Sequence, residues 1–198
     1  MLSAAYQQSS SADPATLKAD PDNLLFGRMN RRRLESEAIR DSLLAVSDSL
    51  DRATGGPAIR DLNTKRRTLY VMTVRSDRAT YQSLFDAADP VAIVEKRIDS
   101  TVAPQALFML NHPFALAQTK ALADRALKQA PPGPAAKIEW LYHLLYGRPP
   151  TDQEKQIGLA AVEQTFASDA AGQPLPAEQA WEQYCQVLLC ANEFVYVE

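Results

Sequence analysis

Four charged side chains in the first half of the chain are candidates for a binding site: Arg33, Glu37, Arg40 and Asp41. When residues 28–50 are placed on a helix, these side chains fall within an arc of ~100°. Two guanidinium groups beside two carboxylates could bind a sugar acid, a sulfate or a partner's carboxylate. The spacing also fits ordinary surface ion pairs, Arg33–Glu37 and Glu37–Arg40, worth about 0.2–0.5 kcal/mol each. Helices often carry such pairs, so the structural interpretation is favoured.

A second group of basic residues flanks a predicted strand: Arg66, Arg67, Arg75, Arg78 and Arg97. Near Tyr70 and Tyr81, these side chains could form a surface for anions or for an acidic glycan. Charge at the edge of a strand also prevents edge-to-edge pairing between molecules, which would explain the same residues. Both interpretations therefore stay open.

Two amides lie near the ends of an apolar segment, residues 97–114. No charged residue occurs between Val102 and Lys120, so a central, buried helix is predicted there. Gln105 and Asn111 are its polar exceptions and are counted among the binding candidates. Buried amides nearly always bind backbone groups of neighbouring turns, and that is the favoured role for both.

The chain shows no recognisable catalytic arrangement. Asp86 and Asp89 would need a cleft and partners to act as catalytic carboxylates, and they are more typical of a turn. His112 and His143, the only histidines, fall in different predicted elements without acidic or Cys neighbours at ligand spacing. Neither a metal site nor a Ser–His–Asp arrangement is predicted, and the seven glycines form no phosphate-binding loop.

The elements that must position these residues are mostly helical. Apolar residues recur at 39, 43, 46 and 50, which predicts a buried stripe on the helix over residues 28–50. Leu44 lies within the charged arc, which indicates that this face is partly covered as well. Alternation over Arg67–Arg75 predicts a strand, with Ala92–Ile98 as its partner.

The second half is predicted to form amphipathic helices. They cover residues 114–129, 137–146, about 151–168, and a last segment that carries Trp181 and Leu188. Thr151 and Glu154 have the spacing of a capping box. Pro104 is placed in the first turn of the apolar helix, with Ser100 or Thr101 as its cap. The predicted fold class is mainly α, an irregular multi-helix bundle with one small two-stranded β element.

Length and charge limit the classes of function. The 198 residues are predicted to form a single helical domain, with residues 1–22 as a loop or short helix entering it. A formal charge of −3 gives no overall footprint for nucleic acid. No segment approaches the ~20 apolar residues of a membrane helix, and the N-terminus lacks the features of a signal peptide. Cys185 and Cys190 lie ~140° apart on one predicted helix and cannot bridge each other there.

Seven motifs, in order, resemble the planctomycete surface domain of unknown function. They are NRRRLESEAIRDSLLAVS (30–47), GGP (55–57), RRTLY (66–70), FDAADP (85–90), STVAPQALFMLN (100–111), LYxLxYGRPPTxxE (141–154) and LLxxNEFVYV (188–197). Together they extend over essentially the whole chain. Any one of them alone would be weak, since GRPPTxxE for instance fits a generic connection between helices.

The resemblance implies a C-terminal domain of large exported proteins, often with a cytochrome-c-like module far upstream. It therefore implies an extracytoplasmic or cell-surface location, and a start that is truncated relative to the family. The haem-attachment signature CxxCH is absent, so no cofactor is expected on this chain. Haem would have to be supplied by an upstream domain of a parent protein.

The sequence thus predicts a non-catalytic helical module of a large exported or surface protein. Its expected partners are sibling domains, related surface proteins or acidic polysaccharide, with neither nucleic acid nor membrane insertion. The alternative is part of an enzyme acting on complex polysaccharide, with a charged cleft formed by Arg33, Glu37, Arg40, Asp41 and Arg97. The two differ in whether these side chains converge on one concave surface.

Overall fold

The computed structural model describes residues 3–4, 6–76, 80–165, 168 and 172–197. Within them the fold is mainly α with a small antiparallel β element, as the sequence predicts. The helices are α1 (Pro14–Ala19), α2 (Ser36–Val46), α3 (Tyr81–Leu84), α4 (Ala103–Asn111), α5 (Pro113–Gln129), α6 (Pro134–Tyr146), α7 (Asp152–Ala160), α8 (Ala177–Leu189) and α9 (Asn192–Val195). The strands are β1 (Arg32–Arg33) and β2 (Tyr196–Val197), with a 3₁₀ turn at Thr68–Tyr70 and a π-helical turn at Ala161–Thr165.

Helix α5 is the element around which the others pack. It contacts α2, α4 and α6, and most extensively α8. Its buried positions include Ala123 and Ala126, whose small side chains allow neighbouring helices to approach closely. Leu122 of α5 and Leu188 of α8 are among the apolar side chains that fill the core.

Helix α2 is shorter than the sequence predicts, because the chain before it is used differently. Residues 32 and 33 pair with 197 and 196 as an antiparallel strand, and α2 begins only at Ser36. Ile39 and Leu43 of the predicted stripe are fully buried, and so is Leu44, as its position indicated. Arg33 therefore lies on β1 and not on the helix.

Helix α4 is present, but the prediction that it is central and buried is wrong for one of its faces. Phe108 and Met109 pack into the core, whereas Leu107 and Leu110 are 55% and 45% exposed. A segment without charged residues can therefore form exposed apolar surface as well as buried core. Neither Ser100 nor Thr101 caps α4: its N-cap is residue 102, whose N–H donates to the Oε1 atom of Gln105 at 3.3 Å.

The predicted pairing of Arg67–Arg75 with Ala92–Ile98 is wrong. The first segment contains the 3₁₀ turn, and the second has no regular structure. Other partners take the backbone of the first segment. The Asp41 carboxylate accepts hydrogen bonds from the N–H and hydroxyl of Thr68 at 2.7 and 2.6 Å, while the carbonyl of Tyr70 and the N–H of Met72 bond to Ile59. These contacts use backbone groups that the predicted ladder would need.

The connection from α6 to α7 follows its sequence signals. Gly147 adopts a φ of +72° and ends α6, since this left-handed conformation is inexpensive only for glycine. The predicted capping box opens α7: the Thr151 hydroxyl accepts from the Glu154 N–H, and Glu154 accepts from the Thr151 N–H. Helix α7 gives way to the π-helical turn after Ala160, and residues 166–167 of its predicted extension lie outside the described residues.

Candidate functional site

Arg40 is fully buried and does not face a ligand. Its guanidinium packs 5.3 Å from the centre of the Phe114 ring. Its nitrogens donate to four oxygen atoms of the segment after α2: the carbonyls of Leu62, Thr64 and Arg66 and the hydroxyl of Thr68. Burial lowers the pKa of Arg40 from its ordinary value, and the nearby Asp41 opposes that shift. The role of Arg40 is to hold this segment against α2.

Arg66 and Arg67 do not form the basic edge that was one interpretation of their position. Arg66 donates to the carbonyls of Gly55 and Pro57 and lies 4.0 Å above the Tyr70 ring, so it braces its own loop. Arg67 is half-exposed, with its Nε atom 3.7 Å from Asp41. Of the other members, Arg78 lies outside the described residues.

Glu37 forms its main ion pair with a residue far away in the sequence. Arg97 donates to its two carboxylate oxygens at 2.9 and 3.2 Å, and also reaches Glu35 at 3.0 Å. Burial acts to raise the pKa of Glu37, but the hydrogen bonds from Arg97 and Ser36 outweigh it, so this pKa lies below its ordinary value. The bond to Glu37 in turn raises the pKa of Arg97.

Arg33 has a different partner from the one that helical spacing predicts. Its Nη2 atom donates to Asp86 at 2.6 Å and approaches the carbonyl of Phe85 at 3.4 Å. Asp86 lies in a left-handed turn with φ of +56° and also accepts from the N–H of Ser100 at 2.8 Å. The pairs Arg33–Glu37 and Glu37–Arg40 are therefore not the interactions formed, because Arg33 precedes the helix and Arg40 turns to the loop.

Arg33 borders a concave surface of about 660 Å³, here called the cationic cleft. Six basic side chains line it: Arg28, Arg31, Arg32, Arg33, Lys96 and Arg97. Three carboxylates share the lining: Glu35, Asp86 and Asp99. A smaller depression of about 260 Å³ shares Asp86, Lys96 and Arg97 with the cleft and continues along the turn at residues 86–90.

The cleft thus unites two of the predicted site residues, Arg33 and Arg97, which are 64 positions apart. Four basic residues in it were not among the candidates from the sequence: Arg28, Arg31, Arg32 and Lys96. The basic run at 31–33 was a usable signal. It did not predict a site because a helix over residues 28–50 would point these three neighbouring side chains in different directions.

Gln105 and Asn111 have the backbone role that was favoured for them. The Nε2 atom of Gln105 donates to the carbonyl of Leu84 at 2.9 Å, which ties α4 to the end of α3. The Nδ2 atom of Asn111 donates to the carbonyl of Leu107, one turn earlier in α4, at 3.2 Å. Gln105 is buried, whereas Asn111 is exposed.

A family model described as PSD1, protein of unknown function (DUF1553), matches residues 1–162. The chain belongs to this family, whose description assigns no activity. No curated protein and no solved structure matches the chain.

Among the residues that the structure describes, no group of three or more His, Cys, Asp or Glu side chains is placed to hold a metal ion. Over the same part of the chain, no helix has the length and apolar character needed to span a bilayer. Both cysteines are free thiols, and burial raises the pKa of Cys185 to about 12.

Proposed function

We propose that this chain is a non-catalytic helical module that binds acidic polysaccharide in the cationic cleft. The observation that carries the proposal is the excess of guanidinium and ammonium groups over carboxylates on one concave surface. Carboxylated and sulfated sugars offer planar or multi-oxygen acceptors, which guanidinium groups bind through paired hydrogen bonds.

Several of these basic groups keep their charge available. Arg28 donates to the backbone carbonyls of Asp20 and Pro21, which are neutral acceptors. The side chain of Arg32 is 64% exposed, and its ion pair with Glu35 is long, with 3.4 Å between the nitrogen and the oxygen. Exposed pairs of this kind contribute little to stability, so a ligand anion can compete for the arginine at low cost.

The shape of the surface fits a polymer better than a single ion. A volume of about 660 Å³ lies within the range of small-molecule sites, ~300–1,000 Å³. The smaller depression beyond Asp86 extends the same surface along Lys96 and Arg97. Successive sugar units could therefore lie in the cleft and the depression.

Of the residues of the enzyme alternative, Arg33 and Arg97 line this surface, but the others do not. Arg40 and Asp41 are occupied by the loop after α2, and the lining of the cleft includes neither. Glu37 is held by Arg97 with a lowered pKa, which makes it a poor proton donor near neutral pH. These contacts favour binding over catalysis.

We further propose that the module belongs to a large exported or surface protein, is extracytoplasmic, and docks to sibling domains. The order of motifs that resembles the planctomycete surface domain supports this location. Exposed Leu107 and Leu110 on α4 provide apolar surface of the kind that domain contacts use.

The test is a thermal-shift and calorimetric titration with polygalacturonate, a sulfated polysaccharide and neutral dextran. An acidic polymer at ~100 times its dissociation constant should stabilise the chain by about 2.7 kcal/mol, and added salt should weaken the effect. Arg32→Gln combined with Lys96→Gln should weaken binding, whereas the matched change Arg67→Gln, outside the cleft, should not. Equal binding of dextran, or unchanged binding by the double variant, would contradict the proposal.

A further inference from the structure

We infer that a second site, which adjoins the cationic cleft and shares Arg33 and Phe85 with it, binds a small carboxylate with an apolar body. The site is a crevice of about 190 Å³ between α4 and the segment that runs from the end of α8 to β2. Phe85, Met109, Leu189 and Val195 are among its apolar walls, Gln105 and Asn192 add amide groups, and Arg33 is the one basic residue among the described residues that line it. A ligand of this crevice must therefore combine an apolar body with a group that can bind Arg33.

Arg33 has hydrogen-bonding capacity that the protein does not use. Its side chain is only 6% exposed, and its Nη2 atom is bound to Asp86. Its Nε and Nη1 atoms are buried and have no hydrogen-bond partner among the residues that the structure describes. A buried charged donor without an acceptor is unfavourable, and native structures usually provide one. A ligand that enters the crevice with an acceptor oxygen would give one of these buried donors a hydrogen-bond partner.

The chemistry of the crevice selects the ligand class. The Nε–H and Nη1–H bonds of Arg33 diverge, so a ligand carboxylate would accept a charge-assisted hydrogen bond from one of them, while Nη2 remains on Asp86 and near the carbonyl of Phe85. Beyond the carboxylate, the ligand must present an apolar group to Met109 and Leu189, because a ligand hydroxyl facing these side chains would have no hydrogen-bond partner. The crevice is smaller than the ~300 Å³ at which typical ligand pockets begin, so it admits one ring or a short branched chain.

The crevice also has exposed residues in its lining. The hydroxyl groups of Thr101 and Tyr196 lie 3.0 Å apart, which links the start of α4 to β2. Both residues and the exposed Ala106 line the crevice. Ala106 belongs to this crevice and not to the cationic cleft, whereas Arg32 and Lys96 belong only to the cleft. The two sites can therefore be changed separately.

The experiment is a ¹H–¹⁵N titration of the whole chain at pH 7 with benzoate, benzyl alcohol and inorganic sulfate. Benzoate should shift the Nε–H resonance of Arg33 saturably, and benzyl alcohol, which keeps the ring but lacks the charge, should not. Sulfate should bind at least about tenfold more weakly, a difference of about 1.4 kcal/mol. Ala106→Trp, which places a large side chain in the lining, should weaken benzoate binding at least tenfold.

Arg33→Lys is the second variant, because lysine can keep the ion pair with Asp86 but has no second nitrogen atom to donate to the ligand. It should lose benzoate binding while remaining folded. Arg32→Gln with Lys96→Gln should leave benzoate binding unchanged, so the crevice can fail while the cleft binds polysaccharide, and the reverse. Equal binding of benzyl alcohol, unchanged binding by Ala106→Trp, or no shift of the Arg33 resonance at saturating benzoate would overturn the inference.

Discussion

Arg40 keeps a guanidinium group at zero exposure on α2, and oxygen atoms of the polypeptide surround it. Removing a charge from water is costly unless hydrogen bonds replace its hydration. Here the replacement comes mainly from backbone carbonyls of a loop 22–26 residues further along the chain. The loop carbonyls in turn gain a hydrogen-bond donor that those of an irregular segment would otherwise find in water.

Arg40→Met should therefore lower the free energy of unfolding by about 3 kcal/mol or more, since it leaves these carbonyls without a donor. Urea unfolding of the variant and the parent chain measures the difference. Arg67→Met is the matched control, because Arg67 is half-exposed, and its effect should stay within about 0.5 kcal/mol. A loss as small for Arg40 as for Arg67 would show that the loop does not depend on this side chain.

The contacts of Arg40 and Arg33 show where sequence reasoning stopped. The spacing of residues places Arg40 on α2 beside Asp41, and the position of Leu44 indicates that this face is covered. The sequence could not indicate the covering loop, because backbone carbonyls carry no signature of residue type. For Arg33, the aspartate at position 86 was visible but was assigned to a turn, which it also forms.

Secondary structure was predictable where local signals act alone. The capping box at Thr151, the termination at Gly147 and the extent of α5 all depend on neighbouring residues. The strand over Arg67–Arg75 was not, since Asp41 binds the N–H of Thr68 and the backbone of Tyr70 and Met72 bonds to Ile59. Strands of two residues, such as β1 and β2, are too short to show any alternation.

Arg148 connects three elements in a way that the turn sequence alone does not reveal. It follows α6, binds both oxygens of Glu154 in α7 at 2.9 and 2.7 Å, and binds both oxygens of Glu193 in α9 at 2.6 and 2.7 Å. The hydrogen bonds from Arg148, assisted by Thr151 and opposed by burial, lower the pKa of Glu154 to about 2.

This lowered pKa predicts a pH dependence of stability. A carboxyl group with a lower pKa in the folded chain than in the unfolded chain stabilises the fold above the unfolded value, 4.5, and loses that contribution as the pH falls toward about 2. Glu154→Gln should therefore cost about 1 kcal/mol at pH 6, after allowance for solvent screening, and progressively less at lower pH.

Chemical unfolding of Glu154→Gln and the parent chain from pH 6 to pH 2.5 measures that difference. Glu178→Gln, an exposed change in the first turn of α8, controls for the loss of one negative charge. A difference between Glu154→Gln and the parent chain that stays constant with pH would contradict the assignment.

The core of the molecule extends past the region that the family model matches. The match ends at residue 162, yet α8 provides Trp181, Tyr184 and Leu188 to the core and is the main partner of α5. Removal of α8 would expose the face of α5 that now packs against it. Because apolar burial is the dominant stabilising contribution to folding, this loss should destabilise the whole core.

A chain cut after residue 162 should therefore lose cooperative unfolding and expose apolar surface. Near-ultraviolet circular dichroism, a thermal melt and binding of a hydrophobic dye test this. In the full chain, Leu188→Ala should cost about 2–5 kcal/mol, whereas the neighbouring Val187→Ala, on the exposed side, should change little. Cooperative melting of the shortened chain would show that α8 is an addition to a complete core.

The pairing of Arg33 with Tyr196 has a consequence for the order of events on the ribosome. Chains fold from the N-terminus while they are being synthesised, at about 5–20 residues per second. Strand β1 is synthesised 163 residues before its partner, since Arg33 pairs with Tyr196. Arg33 borders both the cationic cleft and the crevice, and so neither surface is finished until the segment around Tyr196 has been translated. Both surfaces therefore form only after the helices that precede β2 have been synthesised.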